Sequence, residues 1–173
     1  MSVLSHARLR EVYRSSSPGP ASIDLHLGET LLTLRSGTVL DPECDQSDEW
    51  EPSRLGADGR WRLDHLRPYL GVTLERVDVR DDHLGLLHGV SSLGRLFLLI
   101  HVTAGVVDPG WTGGRLTLEL FPLGAPVLLR PGQRIGQITL HELTDRCTRP
   151  YDGRYQSDTL PQPSRSFLDR RTP

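Results

Sequence analysis

The residue in this chain best suited to moving a proton is Glu119, which closes the run Leu116-Thr117-Leu118-Glu119 in strongly apolar company. A carboxylate among apolar neighbours is a candidate general base and, in a later step, general acid. Upstream, Ser91, Ser92 and Arg95 place two hydroxyls and a guanidinium in one short stretch, a set suited to phosphate oxygens. Between them the turn-rich Asp108-Pro109-Gly110-Trp111 supplies a second carboxylate. Each feature alone has a plainer reading: a solvated strand glutamate, a turn with a surface arginine, and a turn that Asp and Pro-Gly favour for local reasons. Their order and separation carry the argument.

Other chemistries lack their residues. Zinc-dependent deamination asks for H-x-E and P-C-x-x-C ligands. The chain has no C-x-x-C and no H-x-E, and none of its seven histidines stands at ligand spacing from Cys44 or Cys147. Gly-x-Ser-x-Gly is absent, which lowers acyl transfer. There is no lysine, so neither a Walker-type loop nor a Schiff base is available, and any phosphate clamp has to be an arginine fork.

At 173 residues, 36% hydrophobic and 24% charged, the chain fits one domain with a real core. A net charge of −2 carries no basic signature, which argues against a nucleic acid polymer as partner. The longest purely apolar run, Leu96 to Ile100, is too short for a bilayer, and the N-terminus lacks a signal-peptide core. A cytoplasmic protein with Cys44 and Cys147 as free thiols, acting away from membranes, is therefore expected.

The elements that must position these groups are mostly short strands. His6 to Arg14 reads as a helix closed by the Ser15–Pro20 breakers, residues 1–20 together forming an N-terminal arm. Ile23, Leu25 and Leu27 alternate with Asp24 and His26 as in a half-buried strand, and Leu31–Leu34 and Gly37–Leu40 read as two more. Asp41–Arg60 is acidic and without period, an excursion or lid. From Tyr69 onward strands are expected at Leu70–Val77, Leu84–Leu87 (or a turn), Leu96–Thr103, Arg115–Leu120, Ala125–Leu129 and Gln137–Glu142. Many short strands at this spacing predict a mainly β, barrel-like or sandwich domain. In Arg115–Leu120 the period of two puts Thr117 and Glu119 on one face and Leu116 and Leu118 on the other. The tail, Pro150–Pro173, is rich in Tyr, Arg, Ser and Pro and makes most sense folded over a ligand.

The order of these pieces resembles the dCTP deaminases, the zinc-independent branch of the trimeric dUTPase superfamily. The resemblance covers roughly residues 20–165, with the acidic excursion least alike. It rests on Ala21-Ser22-Ile23-Asp24-Leu25-His26-Leu27-Gly28, then Thr73-Leu74-Glu75, then Gly89-Val90-Ser91-Ser92-Leu93-Gly94-Arg95. His101-Val102-Thr103-Ala104, Asp108-Pro109-Gly110-Trp111-Thr112-Gly113, Leu116-Thr117-Leu118-Glu119 and Leu129-Arg130-Pro131-Gly132 follow. Ile135-Gly136-Gln137 and the tail series Tyr151, Arg154-Tyr155-Gln156 and Pro163-Ser164-Arg165 complete it.

What the resemblance implies is a homotrimer of distorted β-barrels (the dUTPase-like or β-clip fold) with sites between subunits. A deoxynucleoside triphosphate would be the substrate, with Mg²⁺ bound through its phosphates and no zinc. Glu119 would be general base and acid for water attack on the cytosine ring. Ser91, Arg95 and the Ala104 carbonyl would hold the water and the glutamate. Substrate binding would fall to the loop Val90, Ser91, Ser92, Leu93, Gly94 and Arg95, to Asp108 at the sugar, and to Tyr151, Arg154 and Asp158 of the tail. The backbone of Thr117 and Leu118 would read the pyrimidine.

Three departures from the family pattern are visible. Val90 stands where the family has arginine, Asp158 where it often has glutamine, and Gly113-Gly114 adds one residue between Asp108 and Glu119. One inserted residue would turn a strand over unless a bulge absorbs it. The leading expectation is deamination of dCTP to dUTP and ammonia. A dUTP pyrophosphatase or a bifunctional enzyme giving dUMP, and a catalytically silent nucleotide-binding regulator, stay open beside it.

Overall fold

A computed structural model describes residues 2–13 and 18–169. The elements are, in chain order, β1 (Ser2–Val3), α1 (His6–Tyr13), β2 (Ile23–His26), β3 (Leu32–Leu34), β4 (Trp50–Pro52), β5 (Trp61–Leu63) and β6 (Tyr69–Val72). They continue with β7 (His83–Gly89), α2 (Ser91–Gly94), β8 (Leu98–Leu99), β9 (Val106–Val107), β10 (Thr117–Pro122), β11 (Val127–Leu129) and β12 (Arg134–Glu142). The architecture is mainly β, as the run of short apolar segments predicts. No helix among the described residues is long and apolar enough to cross a membrane.

Strand pairing makes three sheets. One runs β1-β12-β7-β9, with β2 also on β12; a second runs β4-β3-β6-β10-β8; the third pairs β11 with β5. A bridge between Leu27 and Thr73 ties the first sheet to the second. The core they enclose is chiefly leucine, with Leu25, Leu27, Leu63, Leu118, Leu120 and Leu129 almost wholly buried. Burial of each such side chain stabilises by about 1.5–3 kcal/mol.

Several expectations are corrected. Gly37–Leu40 forms no strand: Gly37 turns at φ +80° and Val39 is 87% exposed. The partner of β3 comes instead from the acidic excursion, where Leu32 faces Pro52 and Leu34 faces Trp50. That excursion is thus pinned to the second sheet rather than standing apart from it. The expected strand Leu96–Thr103 shrinks to β8, because Phe97 takes φ +57° and the preceding residues coil into α2. The segment Leu84–Leu87, read as a strand or a turn, lies in a full strand, β7, paired along its length with β12. Arg14, Ser15–Ser17 of the breaker cluster and 170–173 of the tail lie outside the described residues.

Candidate active site

The site is built on β10. Its burial alternates as the period of two predicts, with Leu116, Leu118 and Leu120 in the core and Thr117, Glu119 and Phe121 half-buried on the opposite face. That face borders a cavity of about 510 Å³ whose walls include Glu119, Thr117, Asp108, Ala104, Tyr151 and Asp158. One carboxylate oxygen of Glu119, Oε2, accepts the Val102 N–H at 2.6 Å. The other oxygen takes no protein hydrogen bond among the described residues, so it is free to engage a water or ligand. An amide donor beside β8 therefore orients the carboxylate, a contact that sequence order alone did not single out.

The strand's two edges differ. The Val72 carbonyl accepts from Gly28 N–H at 2.7 Å, whereas Thr73 N–H donates to the Leu116 carbonyl at 2.9 Å. In the antiparallel register this turns the Leu118 backbone toward Gly71 and the backbone of Thr117 and Glu119 the other way. On that other side β8 covers only Phe121 and Pro122. Leu118, expected to read the pyrimidine, does not line the cavity: its side chain is 0% exposed and its backbone is turned to β6. Thr117 keeps an open edge.

The extra glycine is absorbed before the strand begins. Gly113 sits at φ +68°, where only glycine is free of strain. Asp78 Oδ1 accepts both the Gly113 N–H at 2.7 Å and the Thr112 hydroxyl at 2.8 Å, and Arg76 donates to the Gly113 carbonyl. Gly114 packs under Trp111, where a Cβ would lie 2.7 Å from Cζ2. The loop thus bulges against Asp78, and Glu119 keeps its facing toward the cavity.

The tail lies over the same loop. Tyr151 N–H donates to the Pro109 carbonyl, Gln156 bonds Gly110, and Gln162 N–H donates to the Thr117 hydroxyl at 3.1 Å. Trp111 and Tyr151 meet ring against ring at 5.5 Å. Asp158 faces the cavity but is engaged by Arg165 at 2.9 Å, and Arg165 lies over the Tyr155 ring. Arg154 is not on the cavity; it reaches Asp169 and the Arg165 carbonyl.

The remaining expected residues stand apart from this cavity. Ser91, Ser92, Gly94 and Arg95 are exposed on and beside α2, while Val90 and Leu93 turn their side chains into the core. Conversely, Trp50, Arg115 and Gln162 line the cavity without having been expected there. Arg115 was within reach of sequence reasoning, since it alternates in phase with Thr117 and Glu119. Trp50 was not, because its segment carries no period. Neither was Gln162.

The profile of the dCTP deaminase-like family matches residues 4–143, most of the chain. The chain belongs to that family. A dUMP-forming dCTP deaminase of Methanopyrus kandleri is 40% identical over 168 residues, 93% of this chain and 86% of that protein. A dCTP deaminase of Natronomonas pharaonis is 41% identical over 160 residues, 87% and 82% of the two chains. The solved 2'-deoxycytidine 5'-triphosphate deaminase of Agrobacterium tumefaciens shares the fold, with a TM-score of 0.71 at 22% identity. The match covers 84% of this chain and about half, 49%, of that one.

Proposed function

We propose that this protein hydrolyses the exocyclic amine of dCTP, giving dUTP and ammonia, with Glu119 as the proton carrier. The carrying observation is Glu119 itself: it faces the cavity, is oriented by the Val102 N–H, and keeps one oxygen free. Free Oε1 takes a proton from water as the water oxygen attacks cytosine C4. Glu119 gives that proton to the ring nitrogen N3, then takes the proton of the new C4 hydroxyl and passes it to the departing amine, so the C4–N bond breaks as the C4 carbonyl forms and ammonia leaves. General acid–base help of this kind contributes about 10²–10⁴ in rate. Its 40% identity to a dCTP deaminase over most of its length supports the substrate class.

A second copy of the chain completes the site. Ser91, Ser92 and Arg95 form an exposed donor set that the chain's own cavity does not use, and it sits beside exposed Leu96 and Phe97, 52% and 65% accessible. A trimer would bury that apolar rim while carrying the donors to a neighbour's cavity. Mg²⁺ would be held through the triphosphate oxygens. The setting is cytoplasmic.

Relatives divide between products, one named dUMP-forming and another not. Incubation with dCTP and Mg²⁺ should therefore follow ammonia and pyrophosphate separately. Ammonia release that disappears in Glu119→Gln supports the reading. Pyrophosphate together with ammonia extends it to the dUMP-forming reaction, and nucleotide binding without either product overturns it in favour of a silent regulator.

A further inference from the structure

We propose that Arg115 is a substrate-binding residue whose guanidinium takes the anionic, phosphate end of the nucleotide. This rests on the deaminase reading above. Arg115 lies on the cavity wall, in phase with Thr117 and Glu119. At an extended-chain rise, its four-residue distance from Glu119 is about 13 Å. Glu119 has to face the base, because the C–N bond to be broken is there. A group that far along the same wall faces the other end of an elongated substrate.

Charge narrows the assignment. The cavity wall carries three carboxylates, Asp108, Glu119 and Asp158, against the single guanidinium of Arg115. Asp158 is already held by Arg165, and that pair leaves Arg165 no net charge to offer. Val90 is apolar and buried, and Arg95 lies outside this cavity. A wall so composed would repel a triphosphate unless its one unpaired cation met the phosphates.

The Arg115 side chain is built to meet a ligand rather than the protein. Its Nε is buried and has no acceptor, and it forms no ion pair, among the described residues. Its main chain is nevertheless anchored, since the Arg115 backbone N–H donates to the Asp158 carbonyl at 2.7 Å. A buried N–H without an acceptor is unfavourable, and an anion arriving from the cavity removes that penalty. Arginine also offers a planar fork matched to phosphate.

The test compares wild type with Arg115→Gln and Arg115→Lys, each checked by thermal melting. For dCTP, KM is expected to rise about 10- to 100-fold in Arg115→Gln with kcat little changed, and Arg115→Lys should recover part of it. Inorganic tripolyphosphate should bind wild type and bind Arg115→Gln at least 10-fold more weakly, measured by calorimetry. Deoxycytidine, which has no phosphate, should lose nothing. Equal tripolyphosphate binding by wild type and variant, no binding by either, or an equal loss for nucleoside and triphosphate overturns the assignment. If wild type releases no ammonia, the deaminase reading fails by itself, and the tripolyphosphate titration still decides Arg115.

Discussion

Deleting Gly113 separates two ways the chain could respond, and the structure says which wins. If β10 slipped by one residue, Leu116, Leu118 and Leu120, now 7%, 0% and 0% exposed, would leave the core. At about 1.5–3 kcal/mol each, that costs roughly 5–9 kcal/mol, comparable to the whole stability of a domain. Glu119 and Thr117 would also be forced inward, and the proposed proton carrier would be lost. If instead the loop absorbed the deletion, the cost is the pair of bonds to Asp78. Hydrogen bonds to a charged group are worth about 1.5–3 kcal/mol, and their exposure here brings the two together to about 1–3 kcal/mol.

The loop response is therefore expected. Urea unfolding of the deletion variant should show a loss of about 1–3 kcal/mol at unchanged slope, with ammonia release from dCTP kept within about tenfold. Asp78→Ala should show a similar loss, and the double variant should lose little more than either, because both remove the same bonds. A loss of 5 kcal/mol or more, or activity abolished in a folded deletion variant, would show that the register does move and that the glycine is indispensable. Strict additivity with Asp78→Ala would remove Asp78 as the anchor.

Two further outcomes follow from charges. Asp158→Gln removes a carboxylate from the cavity wall and releases Arg165; KM for dCTP is expected to fall several-fold, at a stability loss under about 1 kcal/mol because the pair is partly solvated. Steady-state kinetics check it, and a raised KM would mean that the Asp158–Arg165 pair itself organises the site. Asp82 lies elsewhere: the hydrogen bond from Arg80 and, after it, that from His83 hold its carboxyl at about 2 against burial. A depressed carboxylate stabilises above its ordinary value of 3.8 and loses that contribution as pH falls through about 2. Asp82→Asn should thus be less stable than wild type near neutrality and converge with it at low pH, as read by urea unfolding across that range.

How much was legible depended on whether local pattern agreed with tertiary partners. The face of Glu119 could be read from Leu116-Thr117-Leu118-Glu119, since period two and leucine burial demand the same register. Gly37–Leu40 looked equally strand-like, yet Arg35 N–H bonds Glu49 and the partner strand came from a segment with no period at all. Strand pairing across an acidic insertion leaves no local mark. The same reason hides Trp50 and the Val102 amide, for one enters through that pairing and the other is a backbone group that any residue type would supply. Phe97 at positive φ, which cuts the expected strand Leu96–Thr103 short, is likewise a tertiary choice, carrying the chain from α2 into β8.

The site residues split along the same line, and the split has a physical cause. Those that meet at the cavity, Ala104, Asp108, Thr117, Glu119, Tyr151 and Asp158, come from segments joined by hydrogen bonds within one chain. The Ser91–Arg95 group is carried on and just after α2, and its exposed donors do not line that cavity. Sequence order places both groups in one stretch, because a chain can encode two halves of a site without folding them onto each other. Arg115 belongs to the first half. Its charge is therefore available to the chain's own cavity before any neighbour arrives, whereas on the proposed trimer Arg95 would act across an interface. A variant that cannot associate should accordingly keep Arg115-dependent tripolyphosphate binding while losing whatever Ser91 and Arg95 contribute to turnover.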